Sequence, residues 1–152
     1  MNQKDKIFEK FLEAKIYKKL IGLLNRKGYK AGSIKLLNTA MLILVKKTGF
    51  SFSYLVWKIF KKLQTWIEVR NVLVKGKRYL VPFKITYNRR IYLVIKWLLK
   101  AIMENKTKKS ISNIIMQEFL LICLNKKSKA LRYKEKNYKA ALISKANLHY
   151  RW

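Results

Sequence analysis

The sequence is poor in the residues from which most catalytic and metal sites are built. It contains one cysteine, Cys123, and one histidine, His149. A single cysteine forms no internal disulfide and no thiolate cluster, which fits a reducing compartment. The seven acidic residues are scattered along 152 positions without a clustered pair. We therefore expect no catalytic site, no metal site, no cofactor and no small-molecule substrate.

Glycine patterns and long apolar runs are lacking as well. The five glycines fall in no phosphate-binding fingerprint. Of the two richest apolar runs, one is broken by Lys96 and Lys100 and the other by Gln117 and Glu118, so no transmembrane span is expected. Apolar and acidic residues are interleaved near the N-terminus, which is atypical of an import or secretory signal.

Positive charge, by contrast, is abundant. Lysine and arginine number 36 against seven acids, which gives a formal charge of +29 spread from end to end. A chain of 152 residues is expected to form one domain. Self-repulsion at this charge opposes compaction, so we expect a marginally stable protein that is ordered by a polyanion, most simply a nucleic acid.

The stretch 67–85 has the pattern of a long basic β-hairpin. Mostly β-branched or apolar residues lead to Lys75-Gly76, where Gly76 permits the positive φ of a tight turn. Pro82, the single proline, marks an edge strand because it cannot donate a ladder hydrogen bond. A lone two-stranded ribbon should project from the rest of the chain and require a partner.

The remainder has helical periodicity, and we predict a mainly α fold. The expected architecture is a bundle of about six helices with one protruding antiparallel β-hairpin between the third and fourth helices. The predicted helices span about 6–26, 33–47, 53–65, 91–103, 111–125 and 131–146, followed by a basic tail at 147–152. On the third helix Lys58, Lys61 and Lys62 should face largely outward, as on any solvated surface.

Many cations fall in positions suited to RNA phosphates. Lys96 and Lys100 lie one helical turn apart, and the sixth helix carries more lysine than solubility requires. Tyr150 and Trp152 are suited to stacking on unpaired bases, although Trp152 could equally pack on its own domain. The candidate RNA-binding residues are Lys27, Lys30, Arg70, Lys75, Lys77, Arg78, Arg89, Arg90, Lys96, Lys100, Lys108, Lys109, Arg132, Lys134, Lys136, His149, Tyr150, Arg151 and Trp152.

Taken together, these segments resemble the universal small-subunit ribosomal protein seven. Stretches 67–70 and 79–82 are similar to the family's valine-glutamate-valine strand and its tyrosine-x-valine-proline return strand. The pair 89–90 leading into 96–97 matches its arginine pair and basic-plus-tryptophan helix, and 146–152 matches its C-terminus. The hairpin departs from the family at Val72 and Leu73, which replace an arginine pair, so either the tip contacts shift or the stem packs on a neighbouring protein.

The resemblance implies a structural constituent of the small ribosomal subunit. Such a protein binds small-subunit ribosomal RNA in the head, helps to nucleate head assembly, and lies near exit-site tRNA and mRNA, beside neighbouring head and platform proteins. Two alternatives stay open. A basic amphipathic protein could bind an anionic membrane surface, or a general nucleic-acid-binding protein could bind DNA. The ratio of 29 lysines to seven arginines favours phosphate binding over base reading.

Composition also suggests a compartment. Lysine, asparagine, isoleucine and tyrosine together make up 64 of 152 residues, and their codons are rich in A and T. With high apolarity and no visible import signal, this bias favours the mitochondrial matrix, in the mitochondrial ribosome. An A+T-rich bacterial cytoplasm or a plastid is the alternative.

Overall fold

The computed structural model describes residues 3–25, 28–105 and 110–151, with side chains from residue 14 onward. Within those ranges the chain forms six α-helices and one two-stranded antiparallel sheet, whose strands lie between the third and fourth helices in sequence. The elements in chain order are α1 (Gln3–Leu24), α2 (Lys30–Thr48), α3 (Phe52–Leu63), β1 (Ile67–Val74), β2 (Lys77–Lys84), α4 (Tyr87–Glu104), α5 (Ile111–Cys123), α6 (Lys129–Ile143) and a 3₁₀ helix (Ser144–Tyr150). The predicted fold class is confirmed.

Two boundaries differ from the predictions in ways that matter for the surface. Helix α4 begins at Tyr87 instead of 91, so Arg89 and Arg90 lie in its first turn and not before it. Arginine is a good helix former, and the extended backbone of Thr86 sets the start. Helix α6 ends at Ile143, and much of the predicted basic tail is the 3₁₀ helix.

Capping explains several helix ends. Ser51 precedes α3, and its hydroxyl accepts a hydrogen bond from the backbone N–H of Tyr54 at 3.4 Å. Ser128 does the same for α6, accepting from the N–H of Leu131 at 3.1 Å. Gly49 ends α2 with φ 69°, in the left-handed conformation that glycine adopts without strain.

A main core lies between the helices, and a smaller cluster joins them to the hairpin. The largest fully buried apolar side chains are Leu37, Leu44, Leu55, Leu63, Val81, Ile91, Val94, Ile95, Leu98, Ile115 and Ile122. The smaller cluster contains Ile85, Leu93 and Trp97, with Tyr133 of α6 packed against it. The base of the hairpin is thus fixed to α4 and α6.

The hairpin has the predicted two-residue turn. Val74 pairs with Lys77, and between them Lys75 and Gly76 have φ values of 48° and 78°. Positive φ at both central residues is the geometry that matches the twist of paired strands. Pro82 lies opposite Val69 and is tolerated because each strand of a two-stranded sheet is an edge.

Only the distal part of the hairpin projects. Asn137 of α6 donates from Nδ2 to the Ile67 carbonyl at 2.7 Å, and Asn147 donates to the Leu80 carbonyl at 3.0 Å. Val81 is fully buried. The ribbon is therefore held along its base by α6 and the 3₁₀ helix. Among the described residues, no helix has the length and apolarity that a membrane crossing requires.

Candidate nucleic-acid interface

The end of the hairpin carries Lys75, Lys77 and Arg78, which we call the tip cations. All three are exposed. Within the described part of the chain none of them forms an ion pair, because both ion pairs found there belong to Glu68. Their charge is therefore available to an anion outside the protein.

Two predicted arginines at the hairpin base share one carboxylate. Arg89 donates to Glu68 from Nη2 at 2.6 Å and from Nε at 3.0 Å, and Arg70 donates from Nη2 at 3.1 Å. The hydrogen bonds from Arg89, opposed by burial and aided by those from Arg70, hold the Glu68 pKa below its ordinary value. The arginine side chains are still 41% and 49% exposed. Because two guanidinium groups share one carboxylate, the cluster keeps a net charge of about +1 at the surface.

Arg90 is held by aromatic rings instead of by an acid. Its guanidinium carbon lies 3.9 Å from the centroid of Trp66 and 5.4 Å from that of Tyr87. The buried Nε–H has no acceptor among the described residues. Stacking of this kind orients the guanidinium, and Arg90 as a whole is half-buried.

Lys96 and Lys100 are exposed on α4, as the helical spacing indicates. Lys100 lies 4.5 Å from the ring centroid of Tyr133. The Tyr133 hydroxyl donates to the Glu104 carboxylate, and this hydrogen bond raises the pKa of Tyr133 to about 12. The ring is thereby fixed beneath the lysine, which points the ammonium away from the core.

Helix α6 uses its cations in two ways. Arg132 and Lys136 are exposed. Lys134 is half-buried, and its ammonium donates to the carbonyl of Lys62 near the end of α3. A cation at a helix C-terminus satisfies carbonyls that lack intrahelical partners. Lys134 therefore binds the protein's own backbone.

Sequence reasoning missed a set of capping lysines, defined here as Lys62, Lys129 and Lys134. Lys62 donates to the carbonyls of Ile122 and Cys123 at 2.9 and 2.8 Å, at the end of α5. Lys129 donates to the Glu104 carbonyl at 3.1 Å, at the end of α4. Burial lowers the pKa of Lys62, an effect to which the charge of Lys58 adds. The helical pattern predicts that Lys62 faces largely outward, whereas its side chain is half-buried. No local pattern could have revealed this, since the carbonyls are contributed by another helix.

The C-terminal candidates pack on the hairpin. The Tyr150 ring lies 4.8 Å from that of Tyr79 and 3.9 Å from that of His149. His149 Nδ1 lies 3.0 Å from the Ala146 carbonyl, to which it can only donate. Arg151 is exposed. At least one face of Tyr150 is thus engaged within the protein.

Of the remaining candidates, Lys30 lies within the described residues and four others do not. Lys30 is exposed at the first residue of α2, where a cation opposes the helix dipole and gains little from the protein itself. Lys27, Lys108, Lys109 and Trp152 lie outside the described residues. In the described part of the chain, no three histidine, cysteine or acidic side chains are grouped as metal ligands.

An apolar groove of about 460 Å³ lies between the hairpin base, α6 and the 3₁₀ helix. Trp66, Pro82, Leu142 and Leu148 are among its lining residues. Its cationic lining residues are Lys84, Lys145 and Arg151. Leu142 is 72% exposed and Ile143, the next residue, 84%.

Comparison with known proteins identifies this arrangement. The family model described as ribosomal protein S7p/S5e matches residues 2–145. The small ribosomal subunit protein uS7 of Citrifermentans bemidjiense is 28% identical over 91% of this chain and 87% of its own length. That of Wigglesworthia glossinidia brevipalpis is 30% identical over 91% and 88%. The uS7A protein of Aquifex aeolicus is 30% identical over 90% and 87%.

Proposed function

The chain belongs to the ribosomal protein S7p/S5e family, and from this premise we propose that it is a structural constituent of the small ribosomal subunit that binds small-subunit ribosomal RNA. The match over residues 2–145 carries the proposal. The use of the acids supports it. Glu68 pairs with Arg70 and Arg89, and Glu104 and Glu118 accept hydrogen bonds inside the protein, so among the described residues none of the three forms an ion pair with the tip cations, Lys96, Lys100, Arg132 or Lys136.

Binding would proceed by phosphate neutralisation and not by base reading. Exposed cations lie on several elements, among them the hairpin tip, α4 and α6. A folded RNA with several helices offers phosphates on more than one side. If about 6 to 10 phosphates are neutralised, affinity for the RNA should fall by roughly 10³–10⁵ between about 50 and 200 mM salt.

Filter binding of the full chain to small-subunit ribosomal RNA across that salt range tests the proposal. RNA affinity should weaken steeply as the salt concentration rises. It should weaken less for small-subunit ribosomal RNA than for an unrelated RNA of equal length. A flat salt response would contradict electrostatic binding. Equal affinity for both RNAs would favour the general nucleic-acid-binding alternative, and vesicle binding that survives RNA competition would favour a membrane surface.

Within the subunit, we further propose a division of labour. The helical body would anchor head RNA and help to nucleate head assembly, and the tip cations would reach exit-site tRNA or mRNA. The exposure of the tip cations and the fixed base of the hairpin support this division. A variant without the tip cations, measured for incorporation into small subunits and for tRNA release, tests it.

The groove suits a neighbouring head or platform protein. Large exposed aliphatic side chains such as Leu142 and Ile143 favour a protein partner. Leu142→Asp, at an exposed residue that lines the groove, should release that neighbour from assembled subunits while leaving RNA affinity within about twofold. Leu42→Asp, on a 60% exposed leucine of α2, is the matched control. Retention of every neighbour in the Leu142 variant would refute this contact.

We propose the mitochondrial matrix as the compartment, on the amino-acid composition. The 64 residues of A+T-rich codon types are consistent with an A+T-rich genome. Locating the gene is the test. A gene in mitochondrial DNA is expected, a bacterial chromosome or plastid genome would select the alternative, and a nuclear gene would contradict the proposal.

A further inference from the structure

A row of aromatic rings lies along the first turns of α3 and the residues just before it, on the side opposite the helix's buried residues. The aromatic row consists of Phe50, Tyr54 and Trp57. Ring centroids lie 5.0 Å apart between the first two and 6.1 Å apart between the last two. Phe50 is 46% exposed, and the other two are half-buried. Tyr54 and Trp57 lie three residues apart on one stripe of α3. Phe50 lies two residues before the helix begins, and its ring extends the row by packing against that of Tyr54.

Each ring in the row has a lysine over it. The Lys58 ammonium lies 5.1 Å from the centroid of Phe50 and 5.4 Å from that of Tyr54. The Lys61 ammonium lies 4.6 Å from the centroid of Trp57. At these distances the ammonium is attracted by the ring and kept at the surface. The aromatic row and these two lysines therefore form one surface patch.

The sequence around the patch contains no acidic residue that could pair with its lysines. No acidic residue occurs between Glu13 and Glu68. Lys46 and Lys47, both exposed at the end of α2, add charge next to Phe50. The core requires the opposite face of α3, where Leu55, Ile59 and Leu63 are buried. The row is thus only partly explained by packing, through the contact of Trp57 with the core.

We propose that this patch binds an unpaired stretch of RNA, with bases stacked on the aromatic row and phosphates near Lys46, Lys47, Lys58 and Lys61. The inference rests on the proposed function and adds a surface that the candidate residues did not include. Stacking platforms flanked by cations are suited to single strands of any sequence. A protein partner fits less well, since lysine is depleted in the centres of protein interfaces.

Ultraviolet cross-linking of the full chain in assembled small subunits tests the contact without any substitution. Trypsin cleaves after Lys47 and Lys58, so one peptide, 48–58, contains the whole aromatic row. We expect a nucleotide attached to that peptide. If peptides from the hairpin or α4 are cross-linked and 48–58 is not, the patch inference fails and the proposed function survives. If no peptide is cross-linked, both fail.

Substitution measures the contribution. Phe50→Ala with Tyr54→Ala should weaken binding to small-subunit RNA at least about fivefold for each base that no longer stacks. Tyr54→Phe should bind like the parent. Lys58→Gln with Lys61→Gln should weaken binding more than Lys18→Gln with Lys35→Gln, a matched removal of two exposed cations that lie over no ring of the described residues. A folded, helical Phe50 and Tyr54 variant with unchanged affinity would overturn the inference, as would a lysine-reactive cross-link joining the patch to a protein in place of RNA.

Discussion

The capping lysines of the helical body and the tip cations of the hairpin have opposite surroundings. The capping lysines donate to carbonyls at the ends of α3, α4 and α5. The tip cations are exposed and form no ion pair within the described residues. A formal charge of +29 therefore overstates the number of sites available to RNA.

This difference shows how a strongly basic chain can fold. Placing ammonium groups on helix C-termini satisfies carbonyls that would otherwise lack partners and uses charge that would otherwise only repel. Glu118 supplies the complementary contact. It is 1% exposed, accepts from the backbone N–H of Ala130 at 3.0 Å and accepts from Asn105 at 3.3 Å. The body is thus held by polar links between helices as well as by its apolar core.

Removing the buried acceptor should have the largest effect. Glu118→Ala leaves the Ala130 N–H without its partner at the start of α6 and opens a cavity, so we expect a loss of about 2–4 kcal/mol of unfolding free energy. Urea unfolding measures it. Glu118→Gln retains an acceptor oxygen and should cost less than half as much. An alanine variant as stable as the parent would show that the body does not depend on this link.

Removing a capping lysine should have a smaller effect, and on stability alone. Lys62→Met keeps the apolar stem but loses the hydrogen bonds to α5, which should cost about 1–2 kcal/mol. RNA affinity at fixed salt should change less than twofold. Lys35→Met, on an exposed lysine without a hydrogen-bond partner among the described residues, is the control. A large fall in affinity with unchanged stability would place Lys62 at the RNA and break the comparison.

The Glu68 cluster predicts a pH dependence. Because the folded-state pKa lies below the ordinary value of 4.5, the cluster stabilises the protein above that value and the contribution is lost as pH falls through the folded pKa. For this partly exposed cluster we expect about 1 kcal/mol. The difference in unfolding free energy between the parent and Glu68→Gln should therefore vanish on acidification. A difference that is constant with pH would exclude the ion pairs as its cause.

The elements were predictable from local patterns, whereas the use of each cation was not. Lys75-Gly76 and Pro82 identify the hairpin within one short stretch. The partners of Lys62 and Lys134, by contrast, lie 60 to 72 positions away in sequence. Only the packed helices bring those carbonyls within reach. For the same reason the position of Tyr150 against Tyr79 had to come from the structure.

The tip cations should give the smallest effect on the folded protein and on assembly. Changing all three to alanine removes no internal ion pair, so unfolding free energy should stay within about 0.5 kcal/mol. The slope of log affinity against log salt should fall by only about 0.7–0.9 for each phosphate that is no longer neutralised. The matched body variant changes Lys96, Arg132 and Lys136, which are equally exposed, and should weaken RNA binding more.

Two measurements on the tip variant then locate the function of the hairpin. The first is incorporation into small subunits, which should be nearly normal because the base of the hairpin remains fixed to α6. The second is the dissociation rate of deacylated tRNA from the exit site, which should rise if the tip cations contact that tRNA as proposed. Failure to enter subunits would make the tip an assembly anchor and reverse the division between tip and body. Normal entry with unchanged tRNA release would indicate that the tip contacts a neighbouring protein instead. The exposed Leu73 beside the tip would then be the residue to substitute next.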